Sequence, residues 1–283
     1  MRFRLRKSGP KQRFLFIPDR GAAAVMRNIK LVLEYDGAAF FGFQRQPRHL
    51  SVQEALEAAL CRLFNRSLKI AAASGRTDTG VHAAGQVVNF KVDSPMTVQA
   101  IQKALNGILP KTIAVLKAEE AEGDFHARYS AVAKTYEYRI WNSPVRSPLL
   151  AGKVCHVSLP LDVGAMKKAA AVLTGRHDFR SFCGHDPSRK EERDTVRSLY
   201  TCSLRRNGKD LRIRVTADGF LYRMVRNIAG ALVEAGLGKL TPSQLKLILD
   251  ARDRRKAPKT MPPEGLTLIN VKYAAKSKKK KKA

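Results

Sequence analysis

The chain has 283 residues, 44% of them hydrophobic, which suffices for one large or two modest domains whose core needs no disulfide. It carries 53 Lys and Arg against 24 Asp and Glu, a net charge of +29 that indicates a polyanionic partner, nucleic acid first. No run of 18 apolar residues could cross a membrane, and the four cysteines lack zinc-site spacing. We therefore expect a cytoplasmic globular protein without a metal ion.

Much of the positive charge lies at the two ends of the chain. Residues 1–25 carry seven basic side chains and one acidic one, and residues 276–283 carry six lysines. Both ends are poor in apolar residues, so we predict basic disordered extensions. Each contributes +6, which leaves +17 of the +29 for the folded part. An initiator at Met26 and an organelle transit peptide are alternative interpretations of the first 25 residues.

Strands and helices alternate in the predicted secondary structure. Ile29, Leu31 and Leu33 alternate with Lys30, Val32 and Glu34 and predict a first strand before an Asp-Gly turn. A helical apolar pattern over residues 51–64 begins with Ser51 as N-cap and Glu54 three residues later. Further strands are predicted at 86–92, 112–118, 135–141, 195–204, 211–217 and 268–273, and further helices at 97–107, 162–173, 222–236 and 241–250.

The order of these elements indicates the fold class. Strands outnumber the helices between them, which favours an α+β fold, a mainly antiparallel sheet with helices on one face, over a doubly wound parallel sheet. The order also permits two similar α/β halves. We assign the N-terminal half to residues 26–128 and the C-terminal half to residues 129–275.

A polar loop that contains three glycines, SGRTDTGVHAAG at residues 74–85, separates the strand-like residues 69–73 from the predicted strand at 86–92. Functional residues concentrate in such loops. Ser74, Asp78 and His82 are the residue types of a hydrolase triad, but the G-x-S-x-G elbow is missing and the three lie within nine residues. A glycosidase that uses two carboxylates is not indicated, because Asp78 is the only acidic residue in this loop. Composition alone favours an ordinary turn in which Asp78 caps the backbone and Arg76 faces water.

Eight blocks of sequence give this loop a different interpretation. They are LEYDGAAFFGFQRQ (33–46), SVQEALEAAL (51–60), SGRTDTGVHA (74–83), LNGILP (105–110), FHARYSAVAKTYEYRIWN (125–142), LTGRHDFRSF (173–182), DGFLYRMVRNIAGAL (218–232) and APKTMPPEGLTL (257–268). In these blocks, and in this order, the sequence resembles the tRNA pseudouridine synthase A (TruA) family. The resemblance implies a pseudouridine synthase fold with a basic central cleft. It also implies a homodimer that acts without cofactor on uridines 38, 39 and 40 of the tRNA anticodon stem-loop.

The resemblance assigns the chemistry to Asp78. The reaction detaches uracil from ribose C1′, rotates the base and rejoins it through C5. A carboxylate suits attack on C1′ or stabilisation of positive charge there, and a route through a glycal is a further alternative. By the same resemblance, Arg226 is the cation that keeps Asp78 ionised. An ordinary arginine on a helix surface is the alternative for Arg226.

The resemblance also implies substrate contacts. Tyr136 is expected to pack on the target base and help to accept the C5 proton, Leu266 to line the other side of the base, and Arg76 to enter the RNA where the nucleotide has flipped out. We expect Tyr138 on the opposite face of its strand from Tyr136. Further basic residues expected to bind phosphates are Arg128, Arg205, Arg206 and those in 252–259.

Two other functions fit the same basic surface. One is a catalytically silent RNA-binding or RNA-chaperone protein, and the other is a synthase for another RNA. A binding protein has no need for a lone carboxylate amid positive charge, so Arg76, Asp78, Tyr136 and Arg226 together favour the enzyme.

Overall fold

The computed structural model describes residues 26–185 and 194–274, and the predicted basic extensions at 1–25 and 276–283 lie outside these ranges. The described residues form ten strands and five α-helices. The strands are β1 (Arg27–Tyr35), β2 (Ala72–Ala73), β3 (His82–Val92), β4 (Ile113–Ala121), β5 (Ala131–Asn142), β6 (Cys155–Val157), β7 (Gly175–Asp178), β8 (Val196–Asn207), β9 (Asp210–Ala217) and β10 (Leu266–Tyr273). The helices are α1 (Val52–Phe64), α2 (Val98–Ile108), α3 (Val163–Leu173), α4 (Met224–Gly236) and α5 (Pro242–Ala251).

All ten strands belong to one sheet, in the order β4-β1-β3-β10-β5-β9-β8-β7, with β2 beside β3 and β6 beside β5. The pairings are antiparallel except for β3 with β10 and β5 with β6. Strand β10, the last in sequence, lies between β3 and β5. Its register sets Thr267 beside His82, so the loop that precedes β3 and the start of β10 lie together.

The core lies on one face of the sheet, where the helices pack. Ile29, Leu31 and Leu33 of β1 are fully buried there, as their alternation predicted, in one cluster with apolar residues of all five helices. Charged side chains occupy the opposite face, where Glu137 lies between Arg212 and Arg214. The predicted α+β fold with a mainly antiparallel sheet is confirmed. The division into two similar halves stays a prediction.

The predicted elements agree closely with the structure. Helix α1 begins after Ser51, whose Oγ accepts a hydrogen bond from the Glu54 amide at 3.2 Å. The other four helices lie within two residues of their predicted bounds. Strands β6 and β7 were missed, because segments of three and four residues are too short to show a period. In the described part of the chain, no helix is both long and apolar enough to span a membrane.

Candidate active site

Asp78 lies in the loop between β2 and β3, where its side chain contacts Arg226, a residue distant in sequence. Its Oδ2 is 2.8 Å from Nη1 of Arg226, in the first turn of α4. The two side chains are only 22% and 11% exposed, respectively. An adjacent cation at this distance favours the charged form of a carboxylate. The structure therefore brings together the predicted catalytic acid and its predicted counter-ion.

The Arg226 side chain is held in a fixed direction. Its Nε donates to the Met261 carbonyl at 2.7 Å, and the Met261 amide donates back to the Arg226 carbonyl at 3.2 Å. The next residue, Asn227, is fully buried and donates to the Phe182 carbonyl at 2.7 Å. Because both ends of its guanidinium are bound, Arg226 is not an ordinary surface arginine.

A network of buried polar side chains is hydrogen-bonded to the loop that carries Asp78. The Tyr35 hydroxyl lies 2.8 Å from Thr77 Oγ1. Ser74 Oγ donates to Gln86 Oε1 at 2.6 Å, and Gln86 Nε2 donates to the Gly75 carbonyl at 2.9 Å. Burial raises the pKa of Tyr35 to about 12, so its hydroxyl stays protonated. The sequence analysis missed this network, although a glutamine at position 86, directly before the apolar pair Val87 and Val88, was the signal for it.

Ser74 and His82 have partners other than Asp78. Ser74 Oγ is bound to Gln86, and His82 Nδ1 accepts from the Gly37 amide at 3.1 Å. Burial, with help from the charge of Lys153, lowers the pKa of His82. The three side chains of the loop therefore do not form a hydrolase triad.

Residues 37–50, here named the cover segment, pack directly on the loop that carries Asp78. The Phe43 amide donates to the Thr77 carbonyl at 3.0 Å. Gly42 has φ +85°, and a Cβ there would lie 2.9 Å from the Thr77 carbonyl oxygen. A Cβ on Gly37 would lie 2.1 Å from the Val81 carbonyl oxygen. Glycine at both positions lets the two segments approach to backbone contact on either side of Asp78.

Tyr136 lies on β5, on the face of the sheet that packs against the helices, and it is paired with Leu268 of β10. Its ring packs edge-to-face on Phe220 at 5.1 Å. Burial, followed by the neighbouring Tyr35 and Asp78, raises its pKa, so the phenol stays protonated. The expectation that Tyr138 points the other way is wrong, because side chains alternate with a period of two and residues 136 and 138 share a face. Both belong to the same core cluster.

The other two predicted site residues differ in burial. Leu266 opens β10 and is buried opposite Tyr138, whereas Leu268 is the residue opposite Tyr136. Arg76 is exposed, and within the described residues it makes no hydrogen bond or ion pair. The structure thus unites Asp78, Arg226 and Tyr136 and leaves Arg76 free beside them.

Lys134 is a site residue that the sequence analysis did not identify. It lies on the same strand face as Tyr136, and its Nζ donates to the Ser74 carbonyl at 2.5 Å. Burial, with smaller contributions from Arg128 and Arg197, lowers its pKa to about 8. Its place two residues before Tyr136 was the available signal. Across the described residues, no three His, Cys, Asp or Glu side chains are grouped to hold a metal ion.

Comparison with known proteins places this geometry in a family. A family model described as tRNA pseudouridine synthase matches residues 31–130 and 169–274. A tRNA pseudouridine synthase A of Caldicellulosiruptor bescii is 43% identical over 248 residues, 88% of this chain and all of that protein. Proteins of the same name from Chromobacterium violaceum and Burkholderia mallei are 45% and 44% identical, over 87% and 88% of this chain and 92% and 91% of their own lengths.

A solved structure, that of a Cbf5-Nop10-Gar1 complex, aligns with 85% of this chain and 48% of its own. Its TM-score of 0.35 and 13% identity are too low to bear on fold or function. The sequence matches are sufficient by themselves, because they extend over most of the chain and include the loop that carries Asp78. The resemblance of the eight blocks is confirmed: the chain belongs to the tRNA pseudouridine synthase family.

Proposed function

We propose that the protein isomerises uridine to pseudouridine at positions 38, 39 and 40 of the tRNA anticodon stem-loop, with Asp78 as the catalytic carboxylate. Membership of the tRNA pseudouridine synthase family supports the reaction and the substrate class. The ion pair between Asp78 and Arg226 is the observation that carries the assignment of the catalytic residue. A carboxylate that is partly buried yet paired with a cation is ready to act in its charged form.

The isomerisation exchanges one bond at ribose C1′ for another. The N1–C1′ bond breaks and a C5–C1′ bond forms, while C5 loses a proton and N1 gains one, so no external reagent is consumed. Arg226 engages Oδ2 of Asp78, and within the described residues no hydrogen bond reaches Oδ1. That oxygen is available to attack C1′ or to stabilise positive charge there. Because Arg226 is fixed by Met261, the carboxylate is oriented before the RNA binds.

The remaining predicted residues have roles in holding the nucleoside. The target uridine must leave its stack, at a cost of a few kcal/mol, to reach Asp78. Arg76, which is exposed on the same loop, enters the RNA in its place. Tyr136 and Leu266 enclose the base. The raised pKa of Tyr136 supports a packing contact over proton acceptance, because a phenol that stays protonated is a poor base.

The enzyme acts in the cytoplasm as a homodimer in this proposal. Three strongly exposed apolar side chains between β5 and α3, those of Val145, Leu149 and Leu159, support a second copy as their partner. Sedimentation of the native protein measures its mass in solution. A dimer that Leu149→Asp converts to monomers supports this assembly, whereas a monomeric native protein contradicts it.

Asp78→Asn tests the proposed catalytic residue. Pseudouridine formation is followed by tritium release from tRNA that carries uridine labelled at C5. We expect the rate to fall by about a thousandfold or more, because the nucleophile is lost. Binding of tRNA at fixed salt should stay within a few-fold of the native value. An Asn variant with the native rate would refute the role of Asp78.

The choice between a synthase and a silent RNA-binding protein rests on turnover, since both bind tRNA. Site-resolved mapping of pseudouridine on total tRNA, with and without the native protein, identifies the modified positions. Conversion at positions 38, 39 and 40 supports the proposal. Conversion elsewhere supports a synthase for another RNA, and no conversion supports the silent protein.

A further inference from the structure

An exposed pair of stacked aromatic rings lies on the cover segment. Phe41 is 47% exposed, although the neighbouring Phe40 and Phe43 are buried in the core. Its ring is stacked on that of His49, with centroids 4.2 Å apart and planes inclined by 23°. About half of the Phe41 side chain therefore stays exposed on the folded protein, beside the ring of His49.

The backbone around Phe41 holds the pair in place. The Phe41 amide donates to the Leu50 carbonyl at 3.0 Å, and Gln46 Nε2 donates to the Phe41 carbonyl at 2.6 Å. Gln46 and His49 are joined by a β-bridge across a turn in which Arg48 has φ +65°. Both backbone groups of Phe41 are therefore hydrogen-bonded within the cover segment.

The backbone next to Phe41 lies close to the backbone of Asp78. Phe41 precedes Gly42, where a Cβ would lie 3.3 Å from the carbonyl carbon of Asp78. Two exposed guanidinium groups lie on the packed segments, that of Arg48 in the same turn and that of Arg76 in the loop that Gly42 and Phe43 contact. Neither makes a hydrogen bond or ion pair with the residues that the structure describes. An aromatic surface with free cations beside it suits single-stranded nucleic acid.

We propose that the Phe41 and His49 rings form a stacking platform for an unpaired nucleobase that flanks the target uridine. This inference rests on the proposed function, since it takes an RNA nucleotide near Asp78 as its ligand. Flipping the uridine exposes the faces of neighbouring bases, and an aromatic ring replaces the stacking that they lose. Every base offers a π-face, so the platform suits an enzyme that acts at several adjacent positions.

Phe41→Leu tests stacking separately from folding. Leucine keeps an apolar side chain of similar size but loses the π-face, whereas Phe41→Trp keeps it. We expect Phe41→Leu to weaken binding of an anticodon stem-loop RNA by about tenfold, within the range for loss of one stacked base, and Phe41→Trp to bind at least as well as the native protein. Tyr200→Leu is the matched control, because Tyr200 is 51% exposed on β8, whose strand partners among the described residues are β7 and β9, away from the loop of Asp78. Affinity is measured by fluorescence anisotropy at one salt concentration.

Abasic substitution of the RNA identifies the stacked base. Each nucleotide around the target uridine is made abasic in turn, and both proteins are measured on each RNA. At one position the loss caused by Phe41→Leu should disappear, because the partner is already missing. Equal affinity of Phe41→Leu and native protein, or a loss that persists on every abasic RNA, overturns the platform. Pseudouridine formation by the native protein is measured in parallel. If the native protein forms pseudouridine but Phe41→Leu binds normally, only the platform is refuted. If the native protein forms no pseudouridine, the proposed function itself fails.

Discussion

The carboxylate of Asp78 and the guanidinium of Arg226 form a 2.8 Å ion pair between residues 148 positions apart in the chain. One partner lies on the loop before β3, and the other lies on α4, beyond β9. These elements meet because β3 and β5 are both neighbours of β10 in a single sheet. The proposed catalytic acid thus acquires its counter-ion only when both parts of the chain have packed on that sheet.

Replacement of Arg226 should impair turnover more than RNA binding. Arg226→Met leaves Asp78 without its cation, and we expect the single-turnover rate to fall by about a hundredfold or more. Arg226→Lys keeps a charge but has a single nitrogen in place of the two, Nε and Nη1, that contact Met261 and Asp78, so it should recover only part of the rate. Single-turnover tritium release measures both.

A double variant that combines Arg226→Met with Asp78→Asn tests whether Arg226 acts through Asp78. If the two residues act as a unit, the double variant should be hardly slower than Asp78→Asn alone. Losses that simply multiply would contradict the coupling between them.

Arg76→Ala should slow the reaction without unfolding the protein. Arg76 is exposed and makes no hydrogen bond or ion pair with the described residues, so its removal should change the free energy of unfolding by no more than about 0.5 kcal/mol. Loss of the group that replaces the flipped nucleotide should lower turnover by about tenfold or more. Arg62→Ala, on the exposed side of α1, removes the same charge away from the loop and serves as control. An unchanged rate for Arg76→Ala would remove this residue from the site.

Gly42→Ala should disturb both stability and catalysis. Its φ of +85° is unfavourable for alanine, and the added Cβ would lie 2.9 Å from the Thr77 carbonyl oxygen. We expect a loss of roughly 1–3 kcal/mol in urea denaturation and a lower single-turnover rate, because Asp78 follows Thr77. Gly107→Ala, in α2 with nothing near its Cβ, should instead stabilise the protein by up to about 1 kcal/mol. Equal behaviour of the two variants would contradict the contact between the cover segment and the loop.

Lys134 should make the stability of the protein depend on pH in the alkaline range. Its pKa is lowered to about 8 by burial, below the value of about 10.4 for an unfolded lysine. Between these values the folded state binds fewer protons than the unfolded state, so this residue's contribution to stability rises with pH. Below pH 8 both states are protonated and the full cost of burying the charge is present.

Comparison with Lys134→Met isolates this contribution. The free energy of unfolding of the native protein should increase relative to that of Lys134→Met between about pH 8 and 10.4. The difference should be flat below pH 7.5. Arg128 and Arg197, the charged neighbours, are present in both proteins, so their direct contributions cancel in the difference. A flat difference across the alkaline range would contradict the burial of Lys134.

Local patterns in the sequence determined the secondary structure and the candidate loop. The alternation of Ile29, Leu31 and Leu33 and the Ser51 cap each depend on residues within one element, so they could be predicted without the fold. Strands β6 and β7 escaped prediction because they are too short to have a pattern. The eight blocks likewise identified the family and, through it, Asp78 and Arg226.

Only the tertiary structure decided which side chains meet at the loop. The 2.8 Å contact between Asp78 and Arg226, the Lys134 ammonium on the Ser74 carbonyl and the backbone approach of Gly42 depend on strand order and register. Sequence neighbours do not encode such contacts, because they join segments that approach only after the sheet has formed. The sequence therefore determined which group we propose to be reactive, and packing across the sheet determined the charged and aromatic side chains that surround it.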